Sequence, residues 1–167
     1  MRRLVWILIL FAAVWSGWWF FAANSLRNGL EAWLEERRAV GWQAEVTETT
    51  IGGFPLALET TLERPALADP DTGLAFAASA LEISAPAWWP GHVTVIFPQD
   101  EITIASPLLR NTVRARAAQA DLRLHPGTAL ELQQMQLTSG PWTLAAPQGS
   151  WMAADGLTLG MTQDAQT

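Results

Sequence analysis

The chain has 167 residues, of which half are hydrophobic and ten are Trp, and its formal net charge is −6. This length allows one domain with an appended segment but not two full domains, and the acidic charge argues against nucleic-acid binding, which needs a basic surface. The sequence contains no Cys and no Lys, which excludes disulfides, thiolate metal sites, thiol nucleophiles and lysine Schiff bases.

The first predicted element is a charge-free apolar helix over residues 4–23. Twenty helical residues span about 30 Å, the thickness of a bilayer's hydrocarbon core. Arg2 and Arg3 precede this helix, so the positive-inside rule places the N-terminus in the cytoplasm and the body outside, in the periplasm of a Gram-negative cell. The predicted membrane-anchor residues are Leu4, Trp6, Leu8, Leu10, Phe11, Val14, Trp15, Trp18, Trp19, Phe20 and Phe21.

A cleaved secretory signal is the alternative for this segment. Its apolar core would be shorter, and cleavage after Ala23 would put the bulky Phe21 at position −3, where a small residue is needed. We therefore expect residues 1–23 to form a cytoplasmic end and a retained single-pass anchor in the bacterial inner membrane.

Residues 24–41 predict an amphipathic stalk helix, with Gly41 as its stop. Its apolar residues recur at spacings of three and four and form one stripe: Leu26, Leu30, Trp33 and Leu34. We expect this stripe to pack on the body. A helix lying on the membrane is the alternative, but three Glu residues suit contact with lipid headgroups poorly.

From residue 42 to residue 167 the hydrophobic period changes to two, and turn motifs rich in Gly, Pro and Asp separate the alternating runs. This pattern predicts an antiparallel meander without a further long helix, although the Ala-rich residues 74–81 are ambiguous. The expected fold is therefore mainly β, with a transmembrane helix and a short amphipathic helix before a curved antiparallel sheet.

One face of the predicted sheet is apolar and must be covered by a second sheet, by curling into a half-open trough, by a helix or by an apolar ligand. The sequence does not decide between a trough and a sandwich. The residues predicted to form an apolar groove are Leu56, Leu58, Leu62, Ile83, Val93, Val95, Ile102, Ile104, Leu122, Leu124, Leu130 and Leu132.

Gly52-Gly53-Phe54-Pro55 is the most distinctive local motif, and it predicts a structural turn. Two glycines permit positive φ or a bulge, Phe54 is expected to be a buried anchor, and Pro55 is expected to start the next strand.

Trp88 and Trp89 stand between two prolines. We expect them to pack in a loop, as large aromatic residues usually do, and we expect the same of Trp142 and Trp151. The alternative for the Trp88-Trp89 pair is an aromatic lip at a ligand mouth or a contact with the membrane.

The sequence holds no recognised catalytic motif, and we expect a non-enzymatic protein without cofactor or metal. His92 and His125 are isolated and lie beside turn residues, so turn or surface roles are expected. Acidic residues in turns, such as Asp69 and Asp71, are expected to cap their own backbone.

Several of these motifs in order resemble the bacterial family called domain of unknown function 2125. The residues that carry the resemblance follow the anchor and include Ile51 to Leu56, Arg64-Pro65, Leu67 to Pro70, Thr72-Gly73-Leu74 and His92-Val93. The resemblance implies a membrane-anchored protein with a periplasmic β-rich body. Members of the family are generally longer, so the chain resembles an N-terminal half whose last sheet edge a missing C-terminal half would cover.

The turn after the anchor and first strand is also similar to that of AsmA-like inner-membrane proteins, which implies by analogy a β groove that shields lipid acyl chains. The function expected from the sequence is thus a cell-envelope protein that shields or hands on a lipid or another apolar ligand. The alternative is an assembly protein whose sheet edge pairs with an envelope partner.

Overall fold

A computed structural model describes residues 2–89, 91–107, 110–124, 132–146 and 149–162. Within these ranges the chain forms one helix, α1 (Arg2–Ala39), followed by fourteen strands. The strands are β1 (Gln43–Glu45), β2 (Glu48–Gly52), β3 (Ala57–Glu63), β4 (Ala66–Asp69), β5 (Leu74–Ala77), β6 (Ala80–Pro86), β7 (His92–Ile96), β8 (Ile102–Ala105), β9 (Arg110–Ala115), β10 (Gln119–Leu124), β11 (Leu132–Ser139), β12 (Trp142–Ala146), β13 (Gly149–Ala154) and β14 (Leu157–Thr162).

The predicted anchor and the predicted stalk form a single uninterrupted helix. α1 ends where the sequence predicts its stop, because Gly41 takes a φ of 92° and its N–H donates to Arg38 O at 3.0 Å. The N–H of Trp42 donates to Arg37 O at 3.0 Å, so the last carbonyls of the helix are paired. Arg37 and Arg38 in the last turn complement the negative end of the helix dipole.

The strands form two seven-stranded sheets in which neighbouring strands are antiparallel. Sheet I has the order β1-β4-β5-β8-β9-β12-β13, and sheet II has the order β14-β11-β10-β7-β6-β3-β2. The predicted antiparallel meander is confirmed, and the ambiguous residues 74–81 form β5 and the start of β6. Within the described ranges, no further helix follows α1.

The two sheets are two halves of one meander, because each long strand contributes a segment to both. For example, β3 in sheet II continues into β4 in sheet I, and the returning β5 continues into β6. At this junction Arg64 N donates to Ser79 O at 2.9 Å and Ala78 N donates to Pro65 O at 3.1 Å. The antiparallel ladder therefore runs from one sheet into the other across the junction.

The junctions bend the long strands without turning the apolar side chains outward. Arg64 and Ala117 have φ values of 47° and 49°, a conformation that residues other than Gly adopt rarely. Glu63 and Arg64 are both exposed, whereas Leu62 and Pro65 on either side are buried. Because Glu63 and Arg64 both point outward, the alternation of buried and exposed residues shifts by one position at the bend. The same side of the long strand therefore stays buried in both sheets.

Helix α1 runs along the whole first long strand, formed by β1 and β2. Trp19 Nε1 donates to Ala57 O at 2.7 Å at one end, and Arg38 Nε donates to Ala44 O at 2.7 Å at the other. The helix between these two residues is about 28 Å long, and the extended strand from Ala44 to Gly52 is about 26 Å long. Since the two lengths agree, sheets I and II lie end to end and are not stacked as a sandwich.

The accessible surface agrees with an open arrangement. The chain exposes 11874 Å², against about 8,100 Å² for a compact monomer of its mass, 18.3 kDa. The undocked N-terminal half of α1 supplies part of this excess, and partly exposed apolar residues in the strands supply more. The large surface favours an open arrangement of the two sheets over a closed sandwich.

The main buried cluster joins α1 to the near end of sheet II. It contains Trp19, Ala23, Leu58 and Ala87. Of the predicted stalk stripe, Leu34 is buried and Leu30 is half-buried, whereas Leu26 and Trp33 remain exposed. Only Leu30 and Leu34 of the predicted stripe therefore pack on the body.

The turn between β2 and β3 allows a matched test of backbone geometry. Gly53 has a φ of 89°, and a Cβ there would lie 2.8 Å from Ala57 O, whereas a Cβ at Gly52 would meet nothing within 4 Å. We expect Gly53→Ala to lower the free energy of unfolding by about 1–3 kcal/mol and Gly52→Ala by no more than about 0.5 kcal/mol. Denaturant unfolding of the detergent-solubilised chain measures both, and equal losses would contradict the assigned turn.

Candidate membrane and apolar-ligand surfaces

Sheet II has one apolar face that continues across all seven of its strands. Residues opposite each other in neighbouring strands share a face, and the register pairs Ile83 with Val95 and Leu122 with both Val93 and Met135. The side chains on this face are predominantly apolar: Ile51, Leu58, Leu62, Leu81, Ile83, Val93, Val95, Leu122, Leu124, Leu132, Met135, Leu137, Leu157, Leu159 and Met161. We call it the apolar face of sheet II.

Most of the predicted groove residues lie on this face. They are Leu58, Leu62, Ile83, Val93, Val95, Leu122, Leu124 and Leu132. Ile102 and Ile104 lie instead in β8 of sheet I, where Ile102 is paired with Val113. Leu56 lies in the turn before β3 and is exposed, and Leu130 lies outside the described residues. The predicted groove set is thus divided between two sheets and a turn.

The sequence-based prediction missed the apolar residues of the last strands, Met135, Leu137, Leu157, Leu159 and Met161. The sequence does contain the period-two pattern that predicts an apolar strand face here. In β11 these residues alternate with Gln134 and Gln136, and in β14 they alternate with polar residues such as Thr158 and Thr162. These residues extend the apolar face to the sheet edge at β14.

The apolar face is only partly covered. In the part of the chain that the structure describes, no large side chain is less than 2% accessible, and Leu159 and Met161 are about half exposed. Thr60 is the polar residue buried at the centre of this face, and its Oγ1 lacks a hydrogen-bond partner in the structure. The cover is therefore uneven, because Leu58 and Leu62 are buried whereas the residues of β14 are about half exposed.

The opposite face of sheet II is polar and holds a hollow of about 610 Å³. Ser84, Thr94 and Asp121 line it together with Arg123, and Thr94 Oγ1 donates to Asp121 Oδ1 at 2.8 Å. His92 is exposed at this hollow. Leu56, Pro86 and Trp88 also line it, so the lining is mixed polar and apolar.

Metal-ion and histidine sites have little support from the geometry. The described residues contain no group of three or more His, Cys, Asp or Glu side chains that could hold a metal ion. His125 lies outside these residues.

The acidic turn at the far end of sheet I shows the predicted backbone capping. Asp69 Oδ1 accepts a hydrogen bond from Asp71 N at 3.0 Å, and Asp69 Oδ2 accepts one from Thr72 Oγ1 at 2.7 Å. The Thr72 hydroxyl holds the pKa of the Asp69 carboxyl below its ordinary value. These contacts account for the turn without a catalytic role.

Three tryptophans of α1 dock the helix on the loops at the end of sheet II. Trp15 Nε1 donates to Pro55 O at 2.9 Å, and Trp18 Nε1 donates to Ala87 O at 3.4 Å. Trp19, which also binds Ala57 O, is buried. Each indole pairs a backbone carbonyl that the strand ladders leave free.

The structure places a turn between β2, which ends at Gly52, and β3, which begins at Ala57, and two details of the predicted turn at residues 52–55 are wrong. Phe54 is 52% exposed, and its ring packs on those of Trp19 and Phe20 at the surface, with centroids 5.4 and 6.2 Å away. Pro55 does not start a strand, because Leu56 N and Ala57 N both donate to Gly53 O and close a turn before β3 begins.

The expectation of a packed loop is wrong for Trp88 and Trp89, which are 62% and 46% exposed. Two prolines flank this pair in the sequence, and Trp88 lines the hollow on the polar face of sheet II. Trp142 is half-buried but lies in strand β12 and not in a loop, and the side chain of Trp151 lies outside the described part.

α1 is long and apolar enough to cross a membrane, with a mean hydropathy of 2.0 in its most apolar 18-residue window. Only 6% of that window is buried in the protein. The helix is therefore not the core helix of the β body.

The model of a family described as "Uncharacterized protein conserved in bacteria (DUF2125)" matches residues 19–167. This match confirms the first of the two resemblances found in the sequence. No curated protein and no solved structure matches the chain.

The docking of α1 can be tested at a single indole. Trp19→Phe removes the donor to Ala57 O and leaves a small cavity, so we expect the free energy of unfolding to fall by roughly 2 kcal/mol or more. Trp6→Phe changes an exposed residue of the same helix and should alter it by less than about 0.5 kcal/mol. Denaturant unfolding in detergent, followed by circular dichroism, makes the comparison, and identical midpoints for the two variants would argue against the docking contact.

Proposed function

The chain belongs to the bacterial family described as uncharacterized protein conserved in bacteria (DUF2125), and we propose that it is a non-enzymatic, inner-membrane-anchored protein of the cell envelope. In this proposal α1 is a single-pass anchor with a cytoplasmic N-terminus, and the bent meander stands in the periplasm. There the meander shields or hands on an apolar ligand, in the first place a lipid acyl chain.

The exposed apolar surface of α1 supports the anchor. Every side chain from Leu4 to Val14 is exposed, and the large ones are at least 53% accessible. Each Å² of such surface that leaves water contributes about 25 cal/mol, so transfer into hydrocarbon is strongly favourable. Arg2 and Arg3 favour the cytoplasmic side for the N-terminus.

The observation that carries the ligand proposal is the apolar face of sheet II, which crosses seven strands and is incompletely covered. A flexible acyl chain fits such a surface, because it gains about 0.8 kcal/mol for each CH₂ buried and needs no directional polar partner. The analogy with the AsmA-like proteins points the same way.

Photo-crosslinking at neighbouring residues of one strand tests this proposal. Val93 lies on the apolar face of β7, whereas the adjacent Thr94 lies on the polar face. We expect a photoreactive amino acid at Val93 in the full chain to give lipid adducts in membranes, and the same amino acid at Thr94 to give none. The adducts are identified by mass spectrometry of the purified protein.

A second pair of probe positions keeps the test valid if the Val93 variant misfolds. Leu159 and Thr158 are both exposed in β14, where a larger side chain is tolerated. Lipid adducts at Leu159 but not at Thr158 would support the proposal. Folded variants that give no lipid adduct at Val93 or at Leu159 would refute it.

The second candidate function is assembly with an envelope protein through a sheet edge. α1 runs along the β1–β2 edge of the meander, whereas β13 and β14 form the opposite edge of the two sheets. Neither β13 nor β14 carries a charged residue or a Pro, although such residues commonly protect edge strands from pairing. An unprotected edge is suited to the addition of a partner strand.

The photoreactive amino acid at Thr158 separates this candidate from the first. If a partner strand pairs with β14, this probe should give one discrete protein adduct in membranes, whereas the same probe at Thr50 in β2, beside α1, should not. Lipid adducts at Val93 without any protein adduct at Thr158 would favour the lipid-carrying function over assembly.

A further inference from the structure

Only part of the apolar segment of α1 is free of contacts with the body. Only this part could enter a membrane without taking some of the body with it. The charge-free segment covers residues 4–23, yet contacts with the body begin at Trp15. The free part, residues 4–14, is about 16 Å long, about half of a hydrocarbon core of about 30 Å. If the whole segment spans the membrane with the helix docked, the loops that hold Trp15 and Trp19 must enter the membrane too.

We propose that these loops, residues 53–57 and 86–89, insert into the lipid leaflet nearer the body; we call them the apolar tip. The partner of this surface is the acyl and interfacial region of that leaflet. The inference rests on the proposed anchoring by α1, and it holds whether or not the apolar face of sheet II carries a ligand.

The apolar stretches of α1 and of the body end at similar heights. The sequence is free of charged residues over 49–58 and over 83–91, the two stretches that contain the tip. Measured from the contact of Trp19 with Ala57, Glu59 lies about 7 Å further along β3, and Asn24, which ends the apolar segment, lies about 7 Å further along α1. The helix and the tip therefore leave the apolar zone at one level.

Most carbonyls of the tip are paired, as a lipid environment requires. An unpaired carbonyl in hydrocarbon costs several kcal/mol, and lipid offers no donor. The indoles of α1 donate to the carbonyls of Pro55, Ala57 and Ala87, and inside the tip the carbonyl of Leu56 accepts from Ala87 N. The carbonyl of Pro86 accepts from Trp89 N.

The side chains of the tip are the kind that a membrane interface favours. Phe54 and Leu56 project from the first loop, and Trp88 and Trp89 from the second; all four are exposed. Phe54 stacks on the exposed ring of Phe20 in the docked part of α1. In water this patch would be an unfavourable surface, whereas in the leaflet it continues the anchor.

Insertion would also bring the sheet to the lipid. From Ala23 down to Trp15 the docked helix covers about 12 Å, enough to carry the tip through the headgroup region to the acyl boundary. The apolar face of sheet II begins at Leu58, directly after the tip. At Leu58 the face is covered by Trp19 and Ala23 of α1, so an acyl chain leaving the leaflet would meet the apolar face at the less covered strands beyond this cluster.

Single-cysteine labelling tests the insertion cleanly because the chain has no Cys. An environment-sensitive NBD fluorophore is placed at Leu56 in the tip, at Leu74 in sheet I, or at Leu10 in the free part of α1; all three residues are exposed. Each full-length variant is reconstituted in phosphatidylethanolamine/phosphatidylglycerol vesicles. Quenching by aqueous iodide and by doxyl-labelled lipid is then measured.

We expect the label at Leu56 to be quenched by doxyl lipid and several-fold less by iodide than the label at Leu74. A label at Leu10 that doxyl lipid quenches, together with a label at Leu56 that it does not, overturns tip insertion while leaving the anchor intact. If doxyl lipid fails to quench the label at Leu10, both the membrane anchor and the tip insertion are overturned. Protection of Leu56 from iodide without doxyl quenching points to shielding by protein and also overturns the inference.

Discussion

The hydrogen bonds from three tryptophans of α1 to the loop carbonyls of sheet II are the contacts on which the arrangement of this protein depends. They hold a helix of membrane-spanning length against the first long strand of the meander, and with the Arg38 contact at the other end they fix its direction. Because Trp19 also belongs to the buried cluster, its loss would weaken the docking of the helix and uncover part of the first sheet edge. The docked part of the helix is thus a structural part of the β body.

The bent meander explains how so small a chain can keep a large apolar face. The two sheets lie end to end, so neither covers the other, and backbone bends at Arg64 and Ala117 keep the apolar side chains of both on one side. A sandwich of the same strands would bury these side chains in a closed core. The open arrangement leaves most of them only partly buried, although Leu58 and Leu62 are buried.

The sequence predicts much of this fold because its physical signals are local. Alternation of period two identifies most strands, and Gly41 and the glycines at 52–53 identify the end of α1 and the first turn. The positive φ values at Arg64 and Ala117 carry no such signal, so the division into two sheets and the separation of Ile102 from the other groove residues could not be predicted. Phe54 was expected to be a buried anchor and the Trp88-Trp89 pair to pack in a loop, because residue type indicates avoidance of water but does not determine whether the fold buries the side chain.

The most direct test of the account is whether α1 stays docked on the loop at Phe54 when the protein is in a bilayer. In membranes that contain the double variant Phe20→Cys/Phe54→Cys, a short bifunctional thiol crosslinker should join the two positions within one chain, because their rings stack in the structure. The control Leu10→Cys/Phe54→Cys should not crosslink, since Leu10 lies about 15 Å further down the helix than Phe20. Equal crosslinking of the two variants, or none in either, would contradict the docked anchor.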